Sequence, residues 1–277
     1  ELVEYNPEDF IEHEDAYLVI SKNGWLRKFK TVVEPNTLKY KENDSLLATV
    51  KANTREFVAF FTSRGMVYVF KSYNLSYTRT GFGEPIQNLF NFSDGEKVVS
   101  VLSLDPAELA ATTKILTGKP SKKSSRQTRL SFADEKNSGL EGMIVGSSGY
   151  GFRFTLTSLI ETTRSGRKLM TLKSDDKLVG FSLVTGDHLF MASISGKGIV
   201  IPVEQVTLLT GAGMGSRLMK MTNSLLAGFK VVNKNGHSTI TLEDEKTKRI
   251  NMKDIRVTNR GGQGVIISKR KKITAIE

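Results

Sequence analysis

The side chains that could do chemistry in this sequence are its cations. They are Arg27, Lys28 and Lys30, then Arg64, Lys71 and Arg79, then Arg153, Arg164, Arg167 and Lys168, then Lys197, Arg217 and Lys220. Arg260 and the run Lys269, Arg270, Lys271 and Lys272 follow near the end. Guanidinium and ammonium groups spread in this way suit a polyanion, because each phosphate they neutralise releases condensed counterions. Taken singly each also suits a solvated surface; the group carries the reading. No recognition helix accompanies them, so they would position a duplex without reading its sequence.

Catalytic chemistry finds little to use. His13, His188 and His237 lie far apart and make no HExxH or other ligand spacing, so no metal site is expected. There is no cysteine, which removes disulfides, thiolate zinc ligands and a cysteine nucleophile together. No GxSxG elbow occurs, and Gly146-Ser-Ser-Gly149 reads as a turn. Neither Gly118-Lys-Pro120 nor Gly196-Lys-Gly198 continues as a P-loop. Gly211-Ala-Gly-Met-Gly215 copies part of a dinucleotide fingerprint but lacks a βαβ frame, and is expected to be a turn. Trp25 and most of the phenylalanines are expected in the core.

The chain has 277 residues, 40 Lys and Arg against 29 Asp and Glu, and a net charge of +11. Seven acids and no base stand in the first fifteen residues, which leaves +18 on the remainder. An apolar share of 39% with 25% charged residues is that of a globular protein. No apolar run reaches the roughly 18 residues of a membrane span, and the first residues are acidic, unlike a signal peptide. A cytoplasmic chain is expected and, from the start at Glu1 in place of Met, a piece of a longer protein.

The elements that would carry these cations are short strands. Hairpins are expected at Ala16 to Ile20 with Trp25 to Lys30, and at Phe57 to Thr62 with Met66 to Lys71. Two more follow at Gly142 to Gly146 with Phe152 to Leu156, and at Leu189 to Ile194 with Ile199 to Val203. Anchored on Gly24, Gly65, Gly151 and Gly198, with a degenerate copy at Thr247, the units repeat every 40 to 50 residues apart from one gap of 86. After each hairpin comes a second glycine element, Arg79 to Gly83, Arg164 to Gly166, Gly211 to Gly215 and Arg260 to Gly264. Each leads to a further strand, Val98 to Leu104, Leu178 to Val184, Leu225 to Val232 and Ile273 to Ile276. Four strands per period is the pattern of a propeller blade, and five blades are counted. Residues 1–14 read as an acidic, weakly ordered lead-in and 15–277 as one domain. An insertion at about 105–139 opens with a short helix from Pro106 to Leu116, and its basic part, 118–136, reads as a mobile surface loop.

The stretch FFTSRGMVYVFKSYNL with RTGFGEPIQNLFNFSDGEKVVSVLSL, from Phe60 to Leu104, resembles a blade of the C-terminal domain of bacterial type IIA DNA topoisomerase A subunits, those of gyrase and topoisomerase IV. GMIVGSSGYGFRFTLTSL, SISGKGIVIPVEQV and GGQGVI extend the resemblance over nearly all of 15–277. It implies an all-β fold, a β-pinwheel or propeller-like disc of about five four-stranded blades with a basic outer rim that binds and bends duplex DNA. Gyrase carries a QRRGGKG box in its first blade; here TVVEPNTLKYKEND follows Lys30 without such glycines. The nearest match is the turn of Arg260, Gly261, Gly262, Gln263 and Gly264 in the last blade, expected to be an ordinary blade turn. Five blades and no proper box resemble topoisomerase IV more than gyrase.

The resemblance also implies partners and limits. The fragment would have no cofactor of its own, since the parent enzyme uses ATP and Mg elsewhere and cleaves DNA with a tyrosine outside it. Its partners would be duplex DNA with little sequence specificity, the other domains of its parent chain, and the ATPase B subunit in a heterotetramer. The fragment is expected to be a monomer, without a membrane, at the nucleoid. Two other readings stay open: a gyrase wrapping domain with a displaced box that drives negative supercoiling, and a protein-interaction module that docks a chromosome-organising partner.

Overall fold

A computed structural model describes residues 11–117 and 139–277. The first ten residues and the basic stretch 118–136 expected as a mobile loop lie outside the described residues.

Strands β1 (Asp15–Ser21) and β2 (Trp25–Phe29) form the first hairpin, in register from Tyr17 opposite Phe29 to Ile20 opposite Leu26. Strand β3 (Leu46–Asn53), for which the sequence carries no distinct signal, returns along the other side of β1. The second hairpin is β4 (Phe57–Thr62) with β5 (Met66–Lys71). The chain then crosses back: β6 (Glu84–Pro85) pairs with β2, and only afterwards does β7 (Val98–Ser103) lie beside β4. Helix α1 (Pro106–Thr117) opens the insertion as expected.

The same sequence of moves repeats three times. After the hairpin β8 (Glu141–Gly146) and β9 (Tyr150–Thr155), β10 (Arg167–Lys168) joins the second sheet at β5, and β11 (Leu178–Leu183) lies on β8. After β12 (His188–Ser193) and β13 (Lys197–Pro202), β14 (Ser216–Arg217) joins β9, and β15 (Leu226–Val232) lies on β12. After β16 (His237–Leu242) and β17 (Thr247–Asn251), β18 (Val265–Ile266) joins β13, and β19 (Ile273–Ile276) lies on β16.

Among the described residues there are thus five antiparallel sheets, four of four strands and one of three. The exchange of strands between neighbouring blades that the pinwheel resemblance implies is present in each of the four-stranded sheets. The second glycine element of each copy supplies the outer strand of the preceding sheet, so every four-stranded sheet is completed by a later part of the chain.

Backbone chemistry explains why glycine sits at the hairpin turns. Gly149 and Gly196 have φ of 80° and 87°. The carbonyl of Gly149 accepts from the amides of Leu218 and Met219, and that of Gly196 from Ile267 and Ser268, at 2.8 to 3.2 Å. A Cβ would stand 2.4 Å from the Met219 carbonyl oxygen at Gly149 and 2.1 Å from that of Ser268 at Gly196. The repeat anchors Gly151 and Gly198 are therefore corrected: each lies inside a strand, two residues past the turn glycine. In the fifth hairpin the turn position is Glu245, also at positive φ, 63°. Among the described residues no backbone amide donates to its carbonyl, and no strand lies on the outer side of β17.

The described residues fall into two compact units, 11–61 with 67–112 and 159–167, and 62–66 with 113–117, 139–158 and 168–277. The first has an aromatic core in which Phe60, Tyr68, Phe70 and Phe92 surround Phe90 at centroid separations of 4.8 to 6.2 Å. The Tyr68 hydroxyl donates to Glu96 at 3.2 Å, which removes the cost of burying it unpaired. The end of the acidic lead-in is fastened here: Arg55 Nε donates to the Ile11 carbonyl at 2.7 Å and the Glu14 amide to Thr54 at 3.0 Å. The second unit has two apolar layers. Met143, Val145, Leu189, Met191 and Leu218 belong to one, and Phe190, Val200, Val232, Ile240 and Ile250 to the other.

A pair of substitutions separates the two kinds of turn. Gly196→Ala is expected to cost about 2 kcal/mol or more, since a left-handed residue costs about 1 to 2 kcal/mol before any clash with Ser268 is counted. Glu245→Gly removes the same strain against a larger entropy loss and is expected to stay within about 1 kcal/mol of the parent. Urea denaturation of both variants measures the contrast.

Candidate nucleic-acid interface

In the first unit the cations divide by burial. Arg27 and Lys28 stand in the middle of β2 and are only 4% and 2% exposed. The Arg27 guanidinium lies 5.0 Å from the centre of the Tyr40 ring, and Lys28 Nζ donates to the carbonyls of Ser72 and Leu75 at 2.8 and 3.1 Å. Lys28 also lies over the Tyr77 ring, and its burial pulls its pKa down from 10.5 to about 8. Both residues were expected on a basic outer surface; the structure spends them inside. Alternation along a strand explains the error only in part, because Arg27 and Lys28 are neighbours and both faces of β2 are covered.

Lys30, one position beyond β2, is exposed and pairs with Glu14 at 3.2 Å, holding that carboxyl below its ordinary pKa. Lys71 is half-buried, with Nζ 5.3 Å from the Phe57 ring centre. Arg79 is exposed. Arg164 is exposed too, although its guanidinium reaches the carbonyls of Asn88 and Leu89. Arg167, on β10, is half-buried. Lys41 was missed: it lies 3.4 Å from the Trp25 ring centre and 5.7 Å from that of Phe82. Trp25, expected in the core, is only half-buried.

In the second unit Arg64, Lys168, Arg217, Lys220, Arg260, Lys269, Arg270 and Lys272 are exposed. Arg153 is not free, being held by Glu141 at 2.6 Å and by the Val206 carbonyl at 3.0 Å. Lys197 is half-buried and reaches Gln263 at 3.5 Å. Lys271 is ion-paired with Asp244, so the run 269–272 offers three open cations. Another group is built on Tyr150: Arg217 donates to its hydroxyl at 2.9 and 3.1 Å, and Lys173 Nζ lies 4.9 Å from its ring centre. Lys173, in a mixed-charge loop, carried no signal that set it apart in the sequence.

The exchanged strands organise this second group. Lys168 and Arg217 are the second residues of β10 and β14, and Arg260 stands four residues before Gly264, as Arg79 does before Gly83. The box-like turn from Arg260 to Gly264 launches β18 in the way the other three glycine elements launch their strands. Among the described residues no three metal-ligating side chains come together, and no helix is long and apolar enough to cross a membrane.

A family model described as "DNA gyrase C-terminal domain, beta-propeller" matches residues 56–105, 143–185, 187–233 and 243–273, leaving β1 to β3 outside. The DNA gyrase A protein of Dehalogenimonas lykanthroporepellens is 24% identical over 96% of this chain. The DNA topoisomerase 4 A protein of Caulobacter vibrioides is 23% identical over 72%. The chain spans 38% and 22% of those proteins, well under half of either. Among solved structures, the C-terminal domain of DNA topoisomerase IV superposes with a TM-score of 0.74 at 16% identity, over 97% of this chain and 78% of that one. The E. coli ParC C-terminal domain gives 0.69 at 22%, over 95% and 98%.

The burial of Lys28 has a measurable signature. The unfolded chain holds this proton up to about pH 10.5 and the folded chain releases it near pH 8, so stability rises with pH between the two values. Melting temperatures across that window are expected to rise for the parent and to lie flatter for Lys28→Met.

Proposed function

The chain belongs to the DNA gyrase C-terminal domain family, as a β-pinwheel domain of the type IIA topoisomerase A proteins, and on that premise we propose that it binds and bends duplex DNA. The observation that carries this reading is the set of exposed cations on and beside the exchanged strands: Arg79, Lys168, Arg217, Lys220 and Arg260. Bending a site of 20 to 30 base pairs by 40 to 90° costs on the order of 1 to 6 kcal/mol, which several phosphate contacts offset. None of these five cations stands on a helix, which favours contacts to the backbone over base reading.

Within the parent enzyme the domain would present the transported segment, while a tyrosine and an ATPase outside this chain perform cleavage and drive. The other domains of the gyrase A-type or topoisomerase IV A-type protein would be its partners, together with the ATPase of the assembly, and the nucleoid its place. A topoisomerase IV-type role in decatenation and relaxation draws on five sheets and on a first sheet without a gyrase box. A gyrase-type role draws on the gyrase name carried by the relative from Dehalogenimonas. Chirality separates the two, since a gyrase-type domain constrains a positive turn in relaxed plasmid.

Binding to end-labelled duplexes of about 20 and 40 base pairs, followed by energy transfer between the ends, tests bending directly. Tighter binding to the longer duplex with its ends drawn together is expected. Each phosphate contact contributes about 0.9 to the slope of log affinity against log salt. Lys173→Gln, Arg217→Gln and Lys220→Gln combined should therefore lower that slope by about 2 to 3; an unchanged slope removes these residues from the interface.

A further inference from the structure

Two apolar side chains occupy the same unusual place in different glycine elements. Phe82 stands between Gly81 and Gly83, and Met214 between Gly213 and Gly215. Each is the residue before the left-handed glycine that launches an exchanged strand, with φ of 84° at Gly83 and 73° at Gly215. At these glycines a Cβ would meet the Leu26 carbonyl oxygen at 2.1 Å and that of Gly151 at 2.2 Å. The launching glycine is thus pressed against the recipient strand, which fixes the side chain before it at the outer end of the exchanged strand. Gly81, on the other flank of Phe82, has nothing within 4 Å of an added Cβ.

Both side chains face solvent, 37% exposed for Phe82 and 36% for Met214, and no other phenylalanine or methionine among the described residues is as exposed. Single exposed apolar residues are ordinary on protein surfaces. These two are distinguished by their shared position and by the cations around them. Exposed Arg79 precedes Phe82 by three residues, with Lys41 Nζ 5.7 Å from the ring centre, and Arg217 follows Met214 by three. The corresponding residues of the other two elements, Ser165 and Gln263, are polar.

We infer that Phe82 and Met214 each act as a wedge that enters a base-pair step of bound duplex DNA while the cations beside it hold the phosphates. The inference rests on the DNA-binding reading above and adds contacts that reading lacks. An apolar side chain driven into a step partly unstacks it and kinks the duplex. Because pyrimidine–purine steps yield most easily, the domain would favour TA and CA steps through deformability, without a hydrogen bond to any base.

The test uses a duplex of about 40 base pairs with 2-aminopurine beside a central TA step, titrated with this chain at low salt. Saturation is expected to raise the fluorescence several-fold. Phe82→Ala with Met214→Ala should bind within a few-fold of the parent, melt at the same temperature, and lose most of the rise. Phe82→Trp with Met214→Leu should retain it. Permanganate reactivity of the TA thymines reports the same unstacking with the parent protein alone, so the test does not depend on any variant folding. A bound and bent duplex with flat fluorescence and unreactive thymines overturns the wedges and leaves the binding reading intact. An equal rise in the double-alanine variant also overturns them. Absence of binding overturns both readings.

Discussion

The carbonyl of the hairpin-turn glycine is the point on which the sheets depend. In the second, third and fourth sheets it accepts two amides from the segment that follows a two-residue strand, as Gly65 does from Leu169 and Met170. A strand of two residues offers too few ladder hydrogen bonds to hold itself, so this carbonyl supplies the remaining attachment. It can do so only where the turn residue has a left-handed φ and no Cβ to block the approaching backbone. One residue type meets both conditions, and the repeat is therefore visible as spaced glycines.

That attachment also determines where charge appears. Each exchanged strand is the outermost strand of the sheet it joins, so its side chains reach solvent while the hairpin strands behind it are buried. Lys168 and Arg217 gain exposure in this way, whereas Arg27 and Lys28, in a hairpin strand, lose it. Topology thus leaves Lys168 and Arg217 of the exchanged strands at the surface and turns Arg27 and Lys28 of a hairpin strand to structural use.

Sequence patterning made the hairpins legible because their apolar runs and turn glycines are local signals. The four crossing strands were located as glycine elements, but their exchange between blades came only from the family resemblance, since pairing across 60 to 100 residues leaves no mark in the residues that pair. Strand β3 was missed because LLATVKAN is half-exposed and lacks the strong apolar run of its neighbours. At the site, residue type found most of the exposed cations. It could not tell Arg217, braced on Tyr150 and open, from Arg153, neutralised by Glu141. That distinction lies in side-chain partners up to 67 residues apart.

The first sheet shows what replaces a glycine-rich extended segment when the sequence lacks one. Residues 31–45 contain no glycine, and none of them forms a strand. The segment instead folds back on its own hairpin, where Tyr40 covers Arg27 and Lys41 caps Trp25 through ring–cation contacts. Such contacts gain strength as they lose water, and the Tyr40 ring lies over a guanidinium that is almost wholly buried. The segment is thereby held down by its side chains, whereas the exchanged elements are held by their backbone. The burial of Arg27 and the folded-back course of the loop are thus two sides of one local packing.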